Sequence, residues 1–331
     1  MQLTQKKSRR GDLLTAAAVA MLLAVMAALL YTGSLTRQVT NMLIPTAVYI
    51  VMAVSLNLVV GLLGELSLGH AGFMSVGLFS GCLVAIALAN TALPLMVRLP
   101  VSMLAGGLTA AVFGLLVGLP TLRLRGDYLA IVTLACGEII KNTITNLRVT
   151  GGALGLNTTA IYAGAKELLP YGAALVLLTV AVMLNLKRSK YGRAIMAIRD
   201  NRIAAESVGL SVTRYKLAVF VIAAFFAGCA GVLYGHSLAN IKAAAFDYNM
   251  SIEILVIVVL GGMGSVPGSV VSAIVLTVLP EALREVADYR MLVYAVVLIL
   301  VMQATNNPAM KRFFGAACKS LTPKRKERAA L

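Results

Sequence analysis

The sequence predicts an all-α, polytopic integral membrane bundle of about ten transmembrane helices, with both termini cytoplasmic and residues 1–331 forming a single transmembrane domain. Three observations carry that expectation. Sixty per cent of the residues are hydrophobic and the mean hydropathy is +0.89. Apolar runs close to the length that crosses ~30 Å of hydrocarbon as a helix recur along the chain. They lack the period-2 alternation of a membrane strand, and lipid offers no partner to an open backbone, so a barrel is excluded. Finally, 21 of the 29 Lys and Arg fall in four patches, residues 1–12, 121–127, 187–216 and 311–331. Such clustering marks cytoplasmic loops.

The first run, 13–31, follows KKSRRGD and is long enough to be an uncleaved span rather than a leader, since more spans follow. Further runs lie near 40–63, 71–89, 99–119, 128–147, 168–186, 215–236, 251–263, 267–285 and 289–305. With the N-terminus inside, ten crossings place all four basic patches on one side, whereas nine would strand the C-terminal cluster outside. Segments 1–12, 187–214 and 306–331 are thus expected as a cytoplasmic N-terminus, loop and tail, in contact with the lipid surface. The net charge of +16 is read as a topology signal, and no nucleic-acid partner is expected.

Two runs are interrupted. SIEILVIVVLGGMGSVPGSVVSAIVL would have to carry Gly261, Gly262, Gly264, Pro267 and Gly268 through a helix interior, where Gly costs about 1 and Pro about 3 kcal/mol. It is therefore divided, with Gly261 as a C-terminal stop and Ser265-Val-Pro267 opening the next helix. GLLGELSLGHAG, residues 61–72, is the second interruption. LNLVVGLLGELSLG and LVIVVLGGMGSVPG both run an apolar helix into a Gly-rich, Ser-containing break. Broken helices at corresponding places point to a transport pathway, which makes Glu65, Ser67, His70, Gly261, Gly262 and Gly264 its candidates. The other reading is that Gly simply lets helices pack closely.

Ionisable residues inside spans are costly and tend to face a cavity or a partner. Glu138 and Lys141 stand three apart in ACGEIIKNT and can pair on one helix face; Glu253 opens the helix before the second break. They either line a polar path or are quietly satisfied, the first two by each other and Glu65, His70 and Glu253 at wet helix ends. Cys82, Cys136 and Cys229 lie in spans and Cys318 in the tail, without disulfide or metal spacing. Two distant histidines, His70 and His236, make no metal site. A phosphate-cradling Gly-x-x-x-x-Gly-Lys-Ser/Thr loop is absent, so no catalytic residue or cofactor is expected here. Any ATP that drives transport binds another chain.

The stretch KRSKYGRAIMAIRDNRIAAESVGLSVTRYK, residues 187–216, holds eight Lys or Arg and two acids. After Tyr191-Gly192, residues 193–208 read as one short helix. Arg199, Arg202 and Glu206 fall in one sector, with Ala204, Ala205 and Val208 as a small-residue surface. Gly209 suits the stop, and Ser211 or Thr213 can cap the next helix, the span from Tyr215. This order suits docking into another protein's groove, or an amphipathic helix resting on anionic lipid.

The segment resembles the coupling loop of ABC-importer permeases, whose pattern is Glu-Ala-Ala-x-x-x-Gly. Ala204, Ala205 and Gly209 match, and Ile203 replaces the glutamate. NLVVGLLGELSLGHAGFMSVG, LRLRGDYLAIVTLACGEIIKN, NLRVTGGALGLN and VIVVLGGMGSVPG resemble the LivM-type permease of branched-chain amino acid importers, over about residues 45–280. At the C-terminus the family's Arg-Pro-x-Gly-Leu gives way to Asn306-Asn307-Pro308-Ala309-Met310. The resemblance implies a multi-pass subunit of the bacterial inner membrane, without chemistry of its own. Its implied partners are a homologous LivH-type permease, two cytoplasmic ATPases that use ATP and Mg, and an external solute-binding protein. Residues 193–209, with Gly192, Arg193, Arg199, Arg202, Ala204, Ala205, Glu206 and Gly209 as the coupling loop, would seat in an ATPase cleft. Urea, short amides or other small polar solutes are the alternative cargo within the family. An ion-coupled secondary transporter using Glu138, Glu253 or Glu65 is the alternative from another class. A membrane enzyme acting on lipid intermediates is disfavoured by the lack of an acidic or nucleophilic cluster.

Overall fold

A computed structural model describes residues 17–30, 36–89, 93–124 and 126–282, together with Thr32, Val296 and Ile299. Contacts divide the chain into two compact units, Met1–Val278 and Leu279–Leu331, and nearly all described residues belong to the first. Segment 1–12, the expected last span at 289–305 (Val296 and Ile299 apart) and the basic tail 306–331 lie outside the described residues.

Helix α1 is Ala17–Leu30. Helix α2, Arg37–Asn57, runs on into a π-helical turn, Leu58–Leu63, and α3 is His70–Ala89. Then come α4 (Leu95–Thr121), α5 (Asp127–Asn146) and α6 (Ala165–Arg188). Two short helices, α7 (Lys190–Asp200) and α8 (Arg202–Ser207), lead to α9 (Val212–His236), α10 (Tyr248–Gly261) and α11 (Val266–Ala282). Among the described residues six segments are long and apolar enough to cross a membrane: Arg37–Leu63, His70–Ala89, Leu95–Thr121, Ala165–Arg188, Val212–His236 and Ala243–Gly261. The chain is a polytopic α-helical membrane protein. Among the described residues the β-structure is a single two-residue ladder. Strand β1 (Leu156–Asn157) pairs antiparallel with β2 (Asn240–Ile241), Leu156 opposite Ile241. It ties the α5–α6 connection to the α9–α10 connection, helped by Thr158 N donating to Ala239 O at 3.0 Å and Ala163 N to His236 O at 3.0 Å.

Helices α3, α4 and α9 make the closest-packed layer, and its closeness depends on small residues. A methyl group added to Gly228 of α9 would lie 2.5 Å from Ala110 Cβ and 2.6 Å from Gly106 O of α4; one added to Gly77 of α3 would strike Gly228. Helix α2 packs against α6 and α9, and every residue from Ile50 to Leu63 is buried. By contrast α4 turns Met96, Leu104, Leu108 and Leu116 outward, an apolar face that needs no cover in lipid. The enclosed α2 is the element that holds the first break in place.

Overpacking a close-packed core costs about 3 kcal/mol at the upper end of the usual range. Gly228→Leu is therefore expected to abolish the monodisperse peak in size-exclusion chromatography in mild detergent. Gly164→Ala, at a position with nothing within 4 Å of the new methyl, is expected to leave that peak unchanged.

Candidate functional site

The two interruptions are brought together in space. After the π-helical turn, Gly64 ends the helix in the left-handed conformation (φ 79°), and residues 64–69 run without regular structure to α3. At the other break α10 ends at Gly261 with Gly262 at φ 87°. Ser265 Oγ accepts from Gly268 N at 3.3 Å, so Ser265, Val266 and Pro267 open α11 as the sequence predicts. Asn57, the last residue of α2 and fully buried, joins the two. Its Oδ1 accepts from Gly264 N at 2.7 Å. Its Nδ2 donates to Ser269 Oγ at 2.8 Å and to Ser265 O at 3.2 Å. One side-chain amide thus replaces the helical hydrogen bonds that the second break lacks. Gly61 and Gly264 touch backbone to backbone, and any side chain at Gly61 would collide with Gly264 and Asn57.

The basic segment differs from the expected single helix over 193–208. It is two helices, because Asn201 leaves helical geometry (φ −153°) and its side chain accepts from Ala204 N at 3.1 Å, capping α8. Helix α7 starts earlier than expected, at Lys190, with Ser189 Oγ accepting from Gly192 N at 3.0 Å. Gly192 is buried in that turn and Arg193 Nη1 reaches Arg188 O at 3.3 Å. The expected sector of Arg199, Arg202 and Glu206 is split by the same break. Arg202 Nε pairs with Glu206 Oε1 at 2.8 Å on α8. Arg199 of α7 instead turns to Asp200 and, through Nη1, to Gly61 O at 3.1 Å. Nor do the small residues form one surface: Ala205 is buried with Ile198 and Val212, while Ala204 is exposed beside Ile203 (79%) and Val208 (76%). Gly209 stands at φ 84° as a stop. Ser211 occupies the cap position of α9 without a side-chain bond, and α9 begins at Val212 rather than Tyr215.

The ionisable candidates are not at wet helix ends. Glu65 forms an ion pair with Lys216, whose side chain is almost wholly enclosed. His70 is buried, with Nε2 2.8 Å from Ser55 Oγ. Glu253 lies inside α10 and accepts from Tyr49 Oη at 3.2 Å. Glu138 pairs with Lys141 as the spacing predicts, and its other oxygen accepts from Tyr248 N at 2.9 Å. That bond places a carboxylate at the N-terminus of α10, where the helix dipole favours it. Among the described residues, Glu65 Oε2 and Ser67 Oγ are buried without a hydrogen-bond partner, as are Ser75 Oγ, Arg98 Nε and His236 Nε2 away from the breaks.

Around the first break the structure gathers Glu65, Ser67 and His70; around the second, Gly261, Gly262 and Gly264. It leaves Glu138 and Lys141 paired on α5, with Glu138 bonded to the start of α10. Sequence reasoning missed Asn57, Lys187 and Lys216. The signal for Asn57 was present, an amide deep inside the apolar run 40–63, whose other amide, Asn41, stands at its start. Lys187 and Lys216 were hidden by counting them among loop cations.

A family model described as the permease component of the branched-chain amino acid transport system matches residues 38–302. The chain is 36% identical over 296 residues to the high-affinity branched-chain amino acid transport system permease protein LivM of Salmonella typhimurium, covering 78% of this chain and 66% of that one. It is 37% identical over 290 residues to LivM of Escherichia coli strain K12, with the same coverage. It is also 31% identical over 126 residues to the permease protein LivH of Salmonella typhimurium, 37% of this chain and 40% of that one. The chain therefore spans just under two thirds of the length of the LivM relatives. No solved structure matches it.

Hydrogen bonds between membrane helices are worth about 0.6 kcal/mol on average, so Asn57→Ala, which removes three of them, is expected to destabilise the protein by about 2 kcal/mol. The check is a fall in the thermal unfolding midpoint of the purified protein in detergent, with Asn57→Gln retaining part of the stability.

Proposed function

The chain belongs to the branched-chain amino acid transport system permease family, and from that premise we propose that it is one permease subunit of an ATP-driven importer for branched-chain amino acids. Its spans number about ten, both termini face the cytoplasm, and the complex sits in the bacterial inner membrane. A homologous LivH-type permease completes the pathway, a reading that the likeness to LivH as well as LivM supports. Two cytoplasmic ATPases bind ATP and Mg, and an external binding protein delivers the solute.

The observation that carries the reading is the folded α7–α8 segment between α6 and α9. Its outer side exposes Ile203 and Val208, apolar residues unsuited to water, while its inner side bonds to the first break through Arg199. An element with an apolar outer tip and a polar inner contact suits a docking helix that passes force from a motor to a membrane pathway. A helix resting on lipid would have no need of the inner contact. Within the pathway, Glu65 Oε2 and Ser67 Oγ are the acceptors that suit the ammonium or other polar end of a small solute.

Affinity purification from native membranes, with co-purifying proteins identified by mass spectrometry, is expected to recover a second permease and two P-loop ATPases. Recovery of the chain alone, moving solute without ATP, would overturn the importer reading. Ile203→Asp combined with Val208→Asp is expected to cut ATPase recovery about tenfold, the cost of roughly 1.4 kcal/mol at the interface, while the second permease still co-purifies.

A further inference from the structure

Two cations of the basic segment reach the same kind of partner. Lys187 Nζ donates to Gly264 O at 2.9 Å, and Arg199 Nη1 donates to Gly61 O at 3.1 Å. Gly264 O lies in the turn between α10 and α11, and Gly61 O lies in the last turn of the helix that runs into the first break. In such a last turn the peptide oxygens have no intrahelical donor and the helix dipole is negative. The stem of Arg199 lies across Gly64, where an added methyl would come within 2.5 Å of Arg199 Cγ.

The two cations stand on one stiff piece of chain. Ser189 caps α7 directly after α6, and an added methyl on Gly192 would strike Leu186 O. Ile198 of α7 packs with Ala205 of α8 and Val212 of α9. The two carbonyls are likewise joined, because Asn57, on the helix that leads into the first break, bonds the backbone of the second. One rigid element therefore grips the two joined breaks at two points.

We propose that Lys187 and Arg199 form a two-point latch through which the α6–α7 turn holds both breaks closed. Displacing the α6–α7 turn withdraws both cations together, leaves both carbonyls without a donor and lets the interrupted helices part. The inference rests on the importer reading for what displaces that turn, and deepens it by naming the positioning residues that pass the displacement inward. Neither residue touches the solute.

Two measurements test it. Amide hydrogen exchange on the purified chain needs no partner, and so addresses the latch independently of the importer reading. Losing a charge-assisted hydrogen bond is expected to speed exchange about tenfold. In Arg199→Met that acceleration should reach Gly264, in the opposite break, as well as Glu65; in Lys187→Met it should reach Glu65 as well as Gly264. Arg199→Lys keeps a donor on a long stem and should restore much of the protection, which sets the latch apart from simple loss of packing. Unchanged exchange across either break in both Met variants overturns the latch.

The second measurement is solute moved per ATP hydrolysed in proteoliposomes holding the whole complex with its binding protein. Both Met variants are expected to lower that ratio about tenfold with the ATPases still bound, and Arg199→Lys to recover it in part. Faster exchange with an unchanged ratio overturns the coupling role. An unaltered complex that binds no ATPase overturns the importer reading, while the exchange result still decides the latch.

Discussion

A helix broken inside a membrane leaves peptide groups with no water to satisfy them, and the architecture around residues 57–69 and 261–269 follows from that constraint. Asn57 is the main answer. An amide carries both a donor and an acceptor, so one side chain can accept from Gly264 N and donate to Ser265 O and Ser269 Oγ. A carboxylate would lack the donors, and a hydroxyl would lack the reach. The bonds also fix the spacing of the two backbones, which is why Gly61 tolerates no side chain against Gly264.

Close approach recurs one layer away. Gly77, Gly106 and Gly228 let α3, α4 and α9 meet almost backbone to backbone. In lipid there is little hydrophobic gain from pressing helices together, so contact of this kind supplies the cohesion through dispersion. The layer holds the start of α3, and with it His70, against α2, where Ser55 meets the imidazole. The first break is thereby anchored at both ends. Its carbonyl side is held by Asn57 and the Gly61–Gly264 contact, and its far side by the α3–α4–α9 packing.

Much of the fold is legible in the sequence because its determinants are local. Apolar runs, Gly and Pro punctuation and the Ser265 cap predict the helices and the second break to within a few residues. That the two breaks meet is not legible, since Asn57 and Gly264 are 207 residues apart and no periodicity connects them. The division of the basic segment was readable in principle. Asn201 follows Asp200, and Asn is among the best helix N-caps; helical spacing across 199, 202 and 206 outweighed it and produced a sector that does not exist. The ion pair of Glu65 with Lys216 escaped for a different reason. A lysine at the foot of a span reads as a loop cation, yet its stem is long enough to carry the ammonium inward to a buried carboxylate.

That last pairing changes what the positive charge of residues 187–216 means. As a topology signal the eight cations would be interchangeable, each adding to the bias against translocation. Three of them are not interchangeable. Lys187 and Arg199 meet backbone carbonyls of the two breaks, and Lys216 meets Glu65 in the first break. Removing Lys216 alone would leave a buried carboxylate unpaired, and breaking a pair of that kind is strongly destabilising, by about 3–5 kcal/mol. Removing an outward-facing cation such as Arg193 would leave nothing buried unpaired. The same short segment therefore supplies charge that suits a cytoplasmic loop and places specific charges where the interrupted helices need them. The two roles make different demands: the first tolerates shifts of a residue or two, and the second does not.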